Sequence, residues 1–173
     1  MTLDAATAAD VAPIVALVES AFRGEASRAG WTTEADLLDG RRTGPDEIGA
    51  IVADPGQVIL LERDSGGALV ASVQLRRDGD HAWLGMLAVK PVLQGGGLGR
   101  RVVEAAEAWV REHWQARAMR MKVIAQREEL IAWYQRRGYR LTGETAPFFY
   151  GDPRFGLPRR DDLSFVVLEK ALG

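Results

Sequence analysis

The chain has 173 residues, no cysteine, and a formal net charge of -2 from 24 acidic and 22 basic side chains. Hydrophobic residues at 47% and charged residues at 27% lie near the averages for globular proteins, which excludes wholesale disorder and a collagen-like repeat. Without cysteine there is no disulfide, thiolate nucleophile, cysteine-ligated zinc or iron–sulfur cluster, and the balanced charge leaves no footprint of a nucleic-acid or acidic-membrane binder.

No low-complexity segment, charge block or repeat interrupts the sequence, so a single domain over residues 1–173 is expected. The start, Met1-Thr2-Leu3-Asp4, lacks a basic flank with an apolar stretch, and no apolar run approaches the roughly 20 residues that span a bilayer. A cytoplasmic protein is the expectation. Val11, Ile14, Val15, Val18 and Phe22 recur at helical spacing and predict an amphipathic helix from about Thr7 to Phe22. Gly24 to Gly30 reads as a loop, Thr33 with Asp36 resembles a capping pair that opens a short helix, and Pro45 suits the first turn of another. Val58–Leu61, Leu69–Leu75 and His81–Val89 are β-compatible runs separated by turn residues, which predicts three consecutive antiparallel strands. Beyond a glycine cluster, Leu98, Val102, Ala105, Ala106, Trp109, Val110 and His113 mark one face of a long helix. A strand over Met119–Ile124, a helix over Glu128–Arg137 stopped by Gly138, and strands over Tyr139–Thr145 and Leu163–Lys170 complete the chain. Hairpins first and β–α–β units later predict a mixed sheet of the α+β or α/β class.

The most informative residues are Gln94-Gly95-Gly96-Gly97-Leu98-Gly99-Arg100-Arg101, between a strand and the long helix. Glycines allow left-handed angles and close approach of a ligand, and a helix start offers unpaired N–H groups with a positive dipole end. Such a turn binds phosphate, although a plain glycine-rich connection has the same spacing. A P-loop needs Lys-Ser or Lys-Thr after its last glycine, where Arg100-Arg101 stands. A dinucleotide fingerprint needs a further glycine after Gly99 and an acidic residue about 20 residues on, near which Arg120 stands. Both fail. The pattern that fits is glutamine or arginine, two residues, glycine, one residue, glycine or alanine, met by Gln94, Gly97 and Gly99.

With its preceding strand Leu84-Gly85-Met86-Leu87-Ala88-Val89, this segment resembles the acetyl-CoA-binding motif of the Gcn5-related N-acetyltransferases (GNAT). Leu130-Ile131-Ala132-Trp133-Tyr134-Gln135-Arg136-Arg137-Gly138-Tyr139 resembles that family's second element, in matching order and separation. The resemblance implies a mixed, mostly antiparallel sheet of six to seven strands flanked by helices, with the fourth and fifth strands splayed. It also implies acetyl-CoA as cosubstrate, no metal, an amine acceptor, and a monomer or homodimer without nucleic-acid or membrane partners. Carried over to this sequence, the backbone of Leu87, Ala88 and Val89 would pair with the pantetheine amides, and an N–H near Leu87 would steady the thioester oxygen. The N–H groups of Gln94, Gly95, Gly96, Gly97, Leu98, Gly99 and Arg100 would receive the pyrophosphate. Tyr134 matches the family's proton donor to the leaving thiolate.

The sequence departs from the family in two places. The strand His81 to Met86 carries no carboxylate where many relatives have a glutamate, which leaves the base open among His81, Glu144, Glu25 and a water chain, while His113 reads as a surface residue. Arg127 replaces a frequent asparagine and suits either a CoA phosphate or a solvated helix start. The resemblance further implies that residues 22–42 and 146–160 frame the acceptor site; Trp31, an aromatic in a polar loop, reads either as its lining with Trp83, Phe148 and Phe149 or as ordinary packing, and Glu25 and Glu34 either as acids that attract a cationic amine or as solvated surface charges. The implied activity is acetyl transfer to a primary amine of a small molecule or peptide. A catalytically silent acyl-CoA-binding or sensing module is the alternative.

Overall fold

The computed structural model describes residues 1–150 and 156–173. In chain order the elements are β1 (Asp4–Ala5), α1 (Val11–Phe22), α2 (Gly24–Ser27), β2 (Leu38–Asp39), α3 (Pro45–Ala53), β3 (Gln57–Arg63), β4 (Leu69–Asp78) and β5 (His81–Val89). These are followed by α4 (Leu98–Trp114), β6 (Ala118–Ile124), α5 (Glu128–Gln135), β7 (Arg140–Pro147), β8 (Leu157–Pro158) and β9 (Ser164–Ala171). Seven strands form one sheet in the order β1-β3-β4-β5-β6-β9-β7, in which β5 and β6 run parallel and the other pairs antiparallel. The expected antiparallel run is β3, β4 and β5, joined by turns at Asp64-Ser65-Gly66-Gly67 and Gly79-Asp80.

Period-two alternation sends successive side chains of each strand to opposite faces, and each face has its own helical cover. On one, Val102, Val103, Ala106 and Val110 of α4 and Tyr134 of α5 pack on Val73, Leu75, Leu84 and Met121. On the other, Ile14, Leu17 and Val18 of α1 and Ile48 and Ile51 of α3 pack on Ile59, Leu61, Met86 and Ala88. Burying each such side chain contributes about 1.5–3 kcal/mol, so the sheet is fixed from both sides. No helix among the described residues is long and apolar enough to cross a membrane.

Two expectations are corrected. Gly24 to Ser27, read as loop, is the short helix α2. Thr33 opens a turn, not a helix: its hydroxyl accepts the Ala35 N–H and pairs with the Ser27 hydroxyl, and Asp36 turns outward to Arg28. The chain leaves helical geometry there because Leu38 and Asp39 pair with Pro158 and Leu157 as a second, two-stranded sheet. That ribbon ties residues 22–42 to the segment before β9, the two stretches expected to frame one site; residues 151–155 of the second stretch lie outside the described residues.

Candidate active site

The parallel pairing of β5 with β6 extends only from His81–Ala118 to Trp83–Arg120. Past that point β5 stays with β4 while β6 stays with β9, so the two strands part and the β5 edge from Leu84 to Val89 has no strand partner among the described residues. A bulge between Ser72 and Gln74 helps to turn the strand, and Met86 within it takes a φ of 44°, rare for a side chain of its size. The register decides which backbone groups face the gap. Lys90 N–H donates to Val70 O, and Ala88 stands opposite Ser72, so Lys90 and Ala88 both bond toward β4. By alternation Leu87 and Val89 face the open edge. Ala88 faces β4, which corrects the expectation that its backbone serves the gap.

Next to that gap, Pro91–Leu93 make one 3-10 turn and the chain enters α4 through Gly95 and Gly97, whose φ values of 87° and 83° are left-handed. Gly97 is the N-cap of α4 and supplies no side-chain oxygen, so the N–H groups of the first turn lack partners before Arg101 N–H bonds Gly97 O. Gln94 braces the turn, with its Nε2 donating to Val89 O at 3.1 Å while Gly30 lies against its Oε1 so closely that an added Cβ would sit 2.0 Å away. Across the turn, Trp133 packs by Gly99, and the Arg137 guanidinium lies 4.2 Å over the Trp133 ring. Burial, with Arg136 and Arg100 nearby, holds the Arg137 pKa below its ordinary value. Positive charge and unpaired N–H groups thus converge where a pyrophosphate would lie, and the turn fits one.

A cavity of about 550 Å³ joins the open edge of β5, the turn and α5. Leu87, Val89, Gln94, Gly95, Gly97, Gly99, Arg100, Tyr134, Trp31 and Trp83 line it, whereas Ala88, Gly96 and Leu98 are off its walls. Tyr134 is 5% exposed, and burial pushes its phenol up to about 12, with Arg127 opposing the rise. Trp31 is half exposed, 6.1 Å from Trp133 between ring centres. Trp83 donates its indole N–H to Asp78, and the cations of Arg76 and Lys122 stand 5.7 and 5.6 Å from its ring. Phe148 and Phe149 also line the cavity.

The acids and imidazoles considered for proton removal sit elsewhere. His81 lies between Asp78 and Asp80 at the strand end, Glu144 pairs with Arg120, exposed Glu25 pairs with Arg28, and His113 stacks on Trp109, all outside the cavity lining. Glu34 does line it but is no free acid: Arg23 Nε at 3.0 Å and Arg127 Nη1 at 3.1 Å hold its two oxygens, and all three residues are buried. Arg127 also donates to Thr32 Oγ1 at 2.7 Å, so it is neither solvated nor committed to a phosphate. Sequence reading missed this ion cluster and the Trp133–Arg137 wall. The i, i+4 spacing of Trp133 and Arg137 on α5 is the signal for the wall, while nothing local marks a pair 93 positions apart.

Comparison with known proteins bears on this arrangement. The family model described as Acetyltransferase (GNAT) family matches residues 18–139. No curated protein matches the chain. Among solved structures, the ribosomal-protein-S18-alanine N-acetyltransferase from Escherichia coli is similar at a TM-score of 0.72 and 14% identity, over 99% of this chain and 94% of that one. The spermidine/spermine N-acetyltransferase from Vibrio cholerae gives 0.67 and 15%, over 99% and 92%. A nourseothricin acetyltransferase gives 0.58 and 21%, over 69% and 68%. At these identities the structures share the fold, and the match over 18–139 carries the assignment: a sheet parted beyond Trp83, with the glycine turn beside the gap, is the frame of the GNAT acetyltransferase family, to which this chain belongs.

Proposed function

We propose that the chain is one catalytic domain over residues 1–173 that transfers the acetyl group of acetyl-CoA to a primary amine of a small molecule or peptide, in the cytoplasm. The observation that carries this reading is the meeting of three features in one cavity: the open β5 edge at Leu87 and Val89, the bare start of α4, and Tyr134. The pantetheine amides take the place of a missing strand on β5, and the pyrophosphate lies on the N–H groups of residues 97–100. The amine nitrogen attacks the thioester carbon, the C–N bond forms and the C–S bond breaks, the Leu87 N–H bears the oxygen's charge, and nitrogen loses the proton that sulfur gains.

Tyr134 donates to the leaving sulfur and is reprotonated by the proton that nitrogen releases. With its phenol near 12 it holds its proton throughout the neutral range, so the donor form is always present. Complete transfer to a thiolate whose acid lies near 8.5 is uphill by about 5 kcal/mol, which fits within the roughly 15–16 kcal/mol barrier of a turnover near 10 s⁻¹. The test is thiol release from acetyl-CoA with a broad panel of amines. Turnover supports the transferase, whereas tight CoA binding with no turnover on any amine favours a silent acyl-CoA sensor, a reading motivated by the lack of a carboxylate on β5 from His81 to Val89.

A further inference from the structure

The cavity has two ends with different charge partners. The glycine turn follows Val89, whereas Trp83 lies six residues back along β5, roughly 20 Å away at strand rise. Cations at the Trp83 end therefore do not serve the pyrophosphate. Away from the turn the lining contains Arg23, Arg42, Arg76, Lys122 and Arg127, against the carboxylates Glu34 and Glu47. Glu34 is already shared by Arg23 and Arg127, which leaves a buried wall with net positive charge. Arg42 and Lys122 have no carboxylate partner among the described residues, and Arg76 makes no salt bridge there although it acts electrostatically on Asp78; Arg42 rests over the Phe22 ring and the other two flank Trp83. Other acids nearby are engaged outside the lining: Asp78 by Trp83 and His81, Glu144 and Glu169 by Arg120, and one Glu19 oxygen by the N–H groups of Arg42 and Thr43.

A second observation points the same way. The Arg127 side chain is 6% exposed and lines the cavity, yet its buried Nε–H has no acceptor among the described residues. Such a donor costs about 1–3 kcal/mol when left unmade, and an oxyanion in the cavity relieves it. Away from the turn the lining thus carries five cations against two carboxylates, an excess that disfavours a polycationic acceptor and favours an anionic one.

Resting on the transferase reading, we propose that the acceptor is an amine that also carries a carboxylate, held by the cations around Phe22 and Trp83. A flat guanidinium pairs well with a carboxylate, and Arg42 and Arg76 line the cavity over the Phe22 and Trp83 rings.

The experiment has two readouts. In the first, acetyl transfer is compared for α- and ω-amino acids of increasing length and for diamines of matched length. The acids are expected to exceed the diamines in kcat/KM by about tenfold or more, with the advantage shrinking as salt rises. In the triple variant Arg42→Gln, Arg76→Gln, Lys122→Gln the advantage is lost while the CoA thermal shift is kept. The second readout needs no turnover: binding of N-acetylated amino acids, against their primary amides, to CoA-loaded protein. The acids are expected to bind about tenfold tighter, and equally to the amides in the triple variant. Diamines or amides that do as well as acids, or an acid preference that survives the triple variant, overturn the proposal while leaving acetyl transfer intact. Acid-selective binding with no turnover on any amine has the opposite meaning, upholding the anion site and sinking the transferase.

Discussion

Replacing the Tyr134 hydroxyl by hydrogen tests a chemical role with little loss of packing, since the ring edges onto Trp133 and Tyr139 and stays buried. In Tyr134→Phe, turnover is expected to fall by roughly 10²-fold with CoA affinity nearly unchanged, as single-turnover kinetics and CoA titration will show; an unchanged single-turnover rate removes Tyr134 from the chemistry. The same phenol makes stability depend on pH. Its folded value near 12 lies above the ordinary value of 10, so the stability it contributes is complete below about pH 10 and is lost as pH rises toward 12. The loss is on the order of 2–3 kcal/mol for this group. Tyr139, pushed up by burial and the Glu107 carboxylate, adds to the loss in the same direction. Urea midpoints at pH 9 and above pH 11 measure the drop, which Tyr134→Phe should make smaller.

At the scale of elements, the turn into α4 and the Arg23–Glu34–Arg127 ion cluster make separate demands. A Cβ at Gly99 would lie 3.5 Å from Trp133 and 3.6 Å from Val89, ordinary contact distances, so Gly99→Val should fold and yet crowd the cavity wall. Its expected result is a folded protein whose unfolding temperature no longer rises with CoA; a wild-type shift would move the pyrophosphate elsewhere. Gly97→Val is the poorer test, because a φ of 83° strains any side chain before a ligand arrives. In the ion cluster, Glu34→Gln leaves two buried guanidiniums without a counter-charge, and the expected loss is about 3–5 kcal/mol in denaturant unfolding; a loss within experimental error would mean that water reaches the cluster. These two elements also mark what the sequence made legible. Glycine spacing, helical periodicity and Tyr134 are local patterns, so the turn, α4, α5 and most strands could be read directly. The β2–β8 ribbon has two residues per strand and no period to detect. The Arg127–Glu34 pair, and the pairing of Leu38 and Asp39 with Pro158 and Leu157 that draws the chain out of helical geometry after Thr33, join residues from distant parts of the chain, which local propensity does not encode.

Over the whole molecule, the place where the sheet parts nearly coincides with a division of the chain. Strands β1, β3, β4 and β5 come from residues before 90 and strands β6, β9 and β7 from residues after 117, and three residue pairs join the two groups across the sheet. Edge strand β1 aside, the hydrogen-bonded ladder is therefore shortest along one line through the sheet, where opening breaks few backbone bonds and costs less than global unfolding. On the proposed function, a cosubstrate lying in that line would act as a removable rung. At 100 times its dissociation constant it raises the cost of opening by about 2.7 kcal/mol, so amide exchange at Leu87 and Val89 on one bank and at Val123 and Ile124 on the other should slow together when CoA is added. Slowing on one bank alone would mean that the banks do not open as a unit. On the proposed function, release of the spent thiol would loosen the molecule along the same line that the incoming thioester tightens, which would link the protein's rigidity to the stage of its catalytic cycle.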